Sequence, residues 1–111
     1  MGRVIEGRLQ QEEAPIDEEI VNELIELTPE RWHSAALEVT YSTENEIEKY
    51  AHVISSLEGH KEPVFPSDKL YAATHSLGLL FRRHGKQWKR ARFEIRLQDD
   101  GSWKYTVDFE Y

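Results

Sequence analysis

The chain has 111 residues, no cysteine and a formal net charge of −7, so it has the size of one domain with a single core. The missing cysteine excludes a disulfide framework, a thiol nucleophile and cysteine-based zinc sites. No apolar run approaches the length of a membrane span and no signal-peptide pattern is present, so a cytoplasmic protein is expected.

Residues 1–14 show no sustained period and include Gly2, Gly7 and the Gln10-Gln11 pair, which predicts a disordered or loosely attached leader. Ile5-Glu6-Gly7-Arg8 within it matches a protease site used in expression vectors, and the single domain is placed at residues 15–111. A helix is predicted from Pro15, with Asp17, Glu18 and Glu19 in its first turn, where negative charge suits the helix dipole. Ile16, Ile20, Leu24 and Leu27 form its apolar stripe, widened by Val21, and Thr28-Pro29 ends it.

A first strand is expected over residues 32–41, where Ala35, Leu37, Val39 and Tyr41 alternate with Ala36, Glu38 and Thr40. Residues 42–46 read as a polar turn. The second strand, residues 47–57, has two candidate inner faces: Tyr50, His52, Ile54 and Ser56, or Ala51, Val53, Ser55 and Leu57. A long connection over residues 58–66 carries Gly59, Pro63 and Pro66. Ser67 then suits a helix N-cap followed by Asp68, and the second helix runs to about His84, with Gly85 as its left-handed stop.

The last twenty-one residues form the clearest unit. Ala91, Phe93, Ile95 and Leu97 alternate with charged residues, as do Trp103, Tyr105, Val107, Phe109 and Tyr111 after Asp99-Asp100-Gly101. Residues directly opposite each other share a face, so a two-residue loop is excluded because it would set Leu97 against Lys104. A three-residue loop with Gly101 in the left-handed position pairs Leu97 with Trp103, Ile95 with Tyr105 and Phe93 with Val107. It also sets Arg92 opposite Asp108, Arg90 near Glu110 and Arg96 beside Lys104. The order α-β-β-α-β-β predicts an α+β fold, a four-stranded antiparallel sheet with two helices on one face.

Few residues point to chemistry. The histidines 33, 52, 60, 75 and 84 lack the spacing of metal ligands, so separately placed imidazoles are expected and no cofactor is implied. No phosphate loop, serine elbow or paired acid-base site is visible, and a non-enzymatic protein is expected. Arg82, Arg83, Lys86, Lys89, Arg90, Arg92 and Arg96, interleaved with Trp88, form a basic run of the kind that binds nucleic acid. Against this, residues 1–62 hold fifteen acidic and five basic side chains, while the remainder holds six and nine. An acidic half repels nucleic acid and speeds encounter with a basic partner.

Trp88, the alternating strand through Phe93, Ile95 and Leu97, Gly101 with Trp103, and the closing Val107-Asp108-Phe109-Glu110-Tyr111 resemble the C-terminal signature of the YezG-like antitoxin and immunity proteins. Leu27-Thr28-Pro29-Glu30-Arg31-Trp32 is similar to that family's approach to its first strand, and the matching order covers residues 16–111. Trp103 stands where the family often has phenylalanine and Phe109 where tyrosine is common. The resemblance implies a bacterial immunity protein that binds the C-terminal domain of a cognate secreted or contact-delivered toxin, often a nuclease with a basic active site. The acidic surface expected to meet such a partner comprises Asp17, Glu19, Glu23 and Glu26, with Glu44, Glu46 and Glu48 around the first hairpin turn. A small nucleic-acid-binding or regulatory module using residues 82–92 is the alternative.

Overall fold

The computed structural model describes residues 2–111, with side chains from Leu9 onward. Helix α1 (Gly2–Leu27) is followed by β1 (Ser34–Glu44), β2 (Ile47–Ser55), α2 (Asp68–Arg83), β3 (Arg90–Leu97) and β4 (Trp103–Glu110). The strands form one antiparallel sheet in the order β2-β1-β3-β4. Both helices cover the face bearing Leu37, Val39, Ala91, Phe93 and Ile95, all fully buried.

The C-terminal hairpin has the expected register, with Leu97 opposite Trp103, Ile95 opposite Tyr105, Phe93 opposite Val107 and Arg92 opposite Asp108. The Gly101 N–H donates to the Gln98 carbonyl at 3.0 Å and Gly101 has φ +85°, a conformation open to glycine without steric cost. The first hairpin is tighter than expected. Its loop is only Asn45-Glu46, both with positive φ (52° and 67°), as a two-residue turn matching the strand twist requires. This lengthens β1 to Glu44 and leaves Trp32 in the connection before the strand.

For β2 the inner face is Tyr50, His52 and Ile54. Pairing across β1 sets Tyr50 against Tyr41, His52 against Val39 and Ile54 against Leu37. The polar residues are accommodated under α2, where His52 Nδ1–H donates to the Tyr50 carbonyl at 3.1 Å and Nε2 meets Thr74 Oγ1 at 2.7 Å. Burial lowers the His52 pKa, with the Tyr50 carbonyl opposing, and that carbonyl, an acceptor only, places a proton on Nδ1.

Helix α2 has the expected ends. The Ser67 hydroxyl accepts the Leu70 N–H at 3.1 Å, and at the other end Gly85 N–H reaches the Arg82 carbonyl while Lys86 N–H reaches Phe81. That paired closure satisfies carbonyls a helix end otherwise leaves bare.

Helix α1 corrects the expected start at Pro15. It begins at Gly2, and residues 2–14, expected as a disordered or loosely attached leader, are helical; Met1 and the side chains of residues 2–8 lie outside the described residues. Leu9 is buried in the core two turns before Ile16. Pro15 lies inside the helix on an exposed face, where water can satisfy the carbonyl that its missing N–H leaves free. The helices run antiparallel, since Glu23 accepts the Ser67 hydroxyl at 2.7 Å while Glu12 approaches His84 at 3.7 Å.

Candidate partner-binding surface

The acidic residues singled out in the sequence divide into three environments. Glu19 and Glu26 are exposed and, with Glu18, Asn22, half-buried Glu23 and Lys69, line a shallow cleft beside the start of α2. Glu23 is held by the Ser67 hydroxyl. These residues recur along one side of the last three turns of α1, so helical spacing builds a continuous acidic ridge.

Asp17 is not on that ridge, which corrects its assignment to the binding surface. Its position three residues before Ile20 and four before Val21 turns it toward the core, and it is only 6% exposed. Because the helix starts at Gly2, Asp17 is far from the first turn and gains no dipole stabilisation there. Burial, a hydrogen bond with Glu13 and the Glu13 charge push its carboxyl up to about 9. Asp17 is therefore neutral at pH 7, and its Oδ1 has no hydrogen-bond partner among the described residues.

Glu44, Glu46 and Glu48 lie elsewhere. Arg82 forks onto Glu48, with Nη2 donating to Oε2 at 3.1 Å, and the Tyr41 hydroxyl donates to Oε1 at 3.3 Å. Since Glu23 meets Ser67 at one end of α2 and Glu48 meets Arg82 at the other, the two patches are separated by the length of that helix, about 22 Å at 1.5 Å per residue. Lys49 bridges Glu44 at 2.6 Å, and Glu46 is exposed in the turn. The seven residues thus form no single surface; the α1 ridge is the coherent part.

Four of the seven residues in the basic run, Arg82, Arg90, Arg92 and Arg96, are engaged within the protein. Arg90 pairs with Glu38 (3.3 Å) and Glu110 (3.8 Å), Arg92 with Glu38 (3.0 Å) and Glu94 (2.8 Å), and Arg96 with Glu94 (3.0 Å). Hydrogen bonds from Arg92 and Arg96 hold the Glu94 carboxyl below its usual range. Arg92 keeps Asp108 as its cross-strand neighbour, yet its guanidinium turns the other way, to Glu38 on β1. The sheet face away from the helices is therefore a ladder of alternating charge, with its arginines already matched rather than presented to phosphate.

A third cluster had no sequence signal. Glu58 accepts the His33 N–H at 2.5 Å and the Ser34 hydroxyl at 2.9 Å. Partial desolvation pulls its carboxyl up, and these two donors outweigh that and hold it low. Glu62 accepts Arg31 Nε at 2.8 Å and Trp32 Nε1 at 2.9 Å, while His60 stacks on Trp32 with ring centroids 5.7 Å apart. The carboxylates here fasten the connection between β2 and α2 to the approach of β1. Among the described residues no three His, Asp or Glu side chains gather as metal ligands, and no helix is long and apolar enough to cross a membrane.

No family model matches the chain. No curated protein matches it in sequence either.

Proposed function

We propose that the chain is a cytoplasmic, non-enzymatic immunity protein that binds and neutralises the toxin domain of a bacterial secreted or contact-delivered system. The observation that carries this reading is the ridge of exposed Glu18, Glu19 and Glu26 with half-buried Glu23 on α1, beside the single cation Lys69 that lines the same cleft. A toxin that cuts nucleic acid needs a basic active site, and a rigid acidic ridge would steer toward such a site and cover it. The resemblance of the C-terminal hairpin to YezG-like proteins supports the same class. Its aromatic residues serve the fold, since Trp88 is fully buried and Phe109 packs on Phe81 at 4.7 Å.

The ion pairing of Arg82, Arg90, Arg92 and Arg96 weighs against the nucleic-acid module. Co-expression with a toxin domain encoded by the adjacent gene tests the proposal. Protection of the host and a co-purifying complex are expected, and absence of both rejects it. Within that complex, the double charge reversal Glu19→Lys and Glu26→Lys should slow association by about tenfold or more at low salt, with a smaller effect at high salt. An unchanged rate removes the ridge from the interface.

A further inference from the structure

The two edges of the sheet, β2 and β4, are built differently. On the face away from the helices β4 carries Lys104, Thr106, Asp108 and Glu110. Charges so placed discourage another strand from docking. The corresponding residues of β2 are Ile47, Lys49, Ala51, Val53 and Ser55, with one charge that is already bridged to Glu44. Ile47 is 63% exposed and Val53 61%. On the helix side the same edge is bordered by Tyr71, 45% exposed, whose ring meets His52 edge-on at 4.5 Å. Three large exposed apolar side chains therefore border one open strand edge, a combination that natural sheets avoid unless the edge is used.

The backbone of this edge has a definite polarity. Tyr41 N–H donates to Lys89 and Leu97 N–H donates to His33, so odd-numbered residues of β1 bond toward β3 and even-numbered ones toward β2. The registers then direct the odd-numbered residues of β2 to β1. Glu48, Tyr50, His52 and Ile54 are left with N–H and C=O pointing outward, the Tyr50 carbonyl using one of its two lone pairs for His52 Nδ1–H and keeping the other.

We propose that β2 pairs antiparallel with β2 of a second copy of this chain, about a two-fold axis at Tyr50, joining the two four-stranded sheets into one. In this register Tyr50 faces Tyr50 of the second copy, and Glu48 faces His52, as hydrogen-bonded pairs that use the outward groups. Ile47 faces Val53 in the non-hydrogen-bonded pairs, where side chains approach most closely. The two-fold makes the Glu48–His52 and Ile47–Val53 contacts twice, with the Tyr50 pair on the axis itself, which is the self-complementarity an isologous interface requires. An axis at Ala51 would set Val53 against Lys49 instead and leave Ile47 against Ser55. This pairing is independent of the acidic ridge and of the immunity reading.

The full chain alone tests it by sedimentation or light scattering over a concentration series. A mass twice that of the chain is expected, and Val53→Lys or Ile47→Lys should raise the dimer dissociation constant by about tenfold or more with an unchanged circular dichroism spectrum. Because the chain has no cysteine, register is tested directly. The double variant Ile47→Cys/Val53→Cys should form a covalent dimer on mild oxidation, as should a mixture of the two single variants, whereas each single variant alone should not. A wild-type mass of one chain at every concentration overturns the proposal, as does a dimer indifferent to both lysines or lacking the 47–53 cross-link. A chain that stays single alone yet loses binding to a protein partner on Val53→Lys would assign the edge to that partner instead.

Discussion

The hydroxyl of Tyr50 occupies the space where residue 78 would carry a β-carbon. A Cβ there would overlap the hydroxyl oxygen and stand 3.0 Å from Cζ, and the ring is confined by Trp88, His75 and Tyr41. Gly78→Ala should therefore lower stability by about 1–3 kcal/mol, despite alanine being the better helix former by about 1 kcal/mol. Tyr50→Phe removes a buried hydroxyl that has no hydrogen-bond partner among the described residues, and in that background the alanine should cost much less. Denaturant midpoints for the two single variants and the double variant give the coupling; simple additivity would show that the two sites do not meet.

Asp17 should make the protein less stable as pH rises. Its folded pKa, about 9, lies above the ordinary 3.8, so the stabilising protonated form is fully present below the unfolded value and its advantage is lost as pH climbs toward the folded one. Asp17→Asn keeps the shape without an ionisable proton. With solvent screening allowed for, it should add about 1–2 kcal/mol at neutral pH, a rise of several degrees in Tm, and almost nothing near pH 4. Equal gains at both pH values would trace the effect to something other than ionisation.

His52 gives the opposite slope. Burial lowers its folded pKa beneath the ordinary 6.5, so its contribution is present above the unfolded value and is lost as pH falls through the folded one. Urea midpoints measured above and below that range should converge for His52→Gln and diverge for the wild type. Parallel pH profiles would rule the imidazole out as the source.

Glu46 holds φ +67° in the first hairpin turn, a backbone region that favours glycine. Glu46→Gly, giving Asn-Gly at the two-residue loop, should stabilise by about 0.5–1 kcal/mol. The same variant reports on binding, since unchanged affinity for a toxin domain would separate Glu46 from the interface. Thermal melts and titration calorimetry on one preparation provide both readings.

The parts legible from sequence were those decided by local rules. The C-terminal register followed from parity and a glycine at the left-handed position, and the ends of α2 followed from Ser67 and Gly85. Strand order was not legible, because alternation reveals faces and not neighbours; Arg92 was matched to Asp108 while its guanidinium pairs with Glu38. The first half of α1 was hidden because no large apolar residue lies between Leu9 and Ile16 and Pro15 reads as a start. That boundary then misplaced Asp17, whose burial depends on which turn of the helix it occupies. Glu58 and Glu62 act on residues 24 to 31 positions away, beyond the reach of any local pattern.

Those two carboxylates change what the 56–67 connection is. A surface segment with Gly59, Pro63 and Pro66 would ordinarily be the place where a protease finds slack chain. Tied at Glu58 to the His33 amide and at Glu62 to the Trp32 indole, it behaves instead as a fastened strap, too short of free length to enter a protease cleft. Digestion of the native protein should spare it, and Glu58→Ala/Glu62→Ala should turn it into the first site cut.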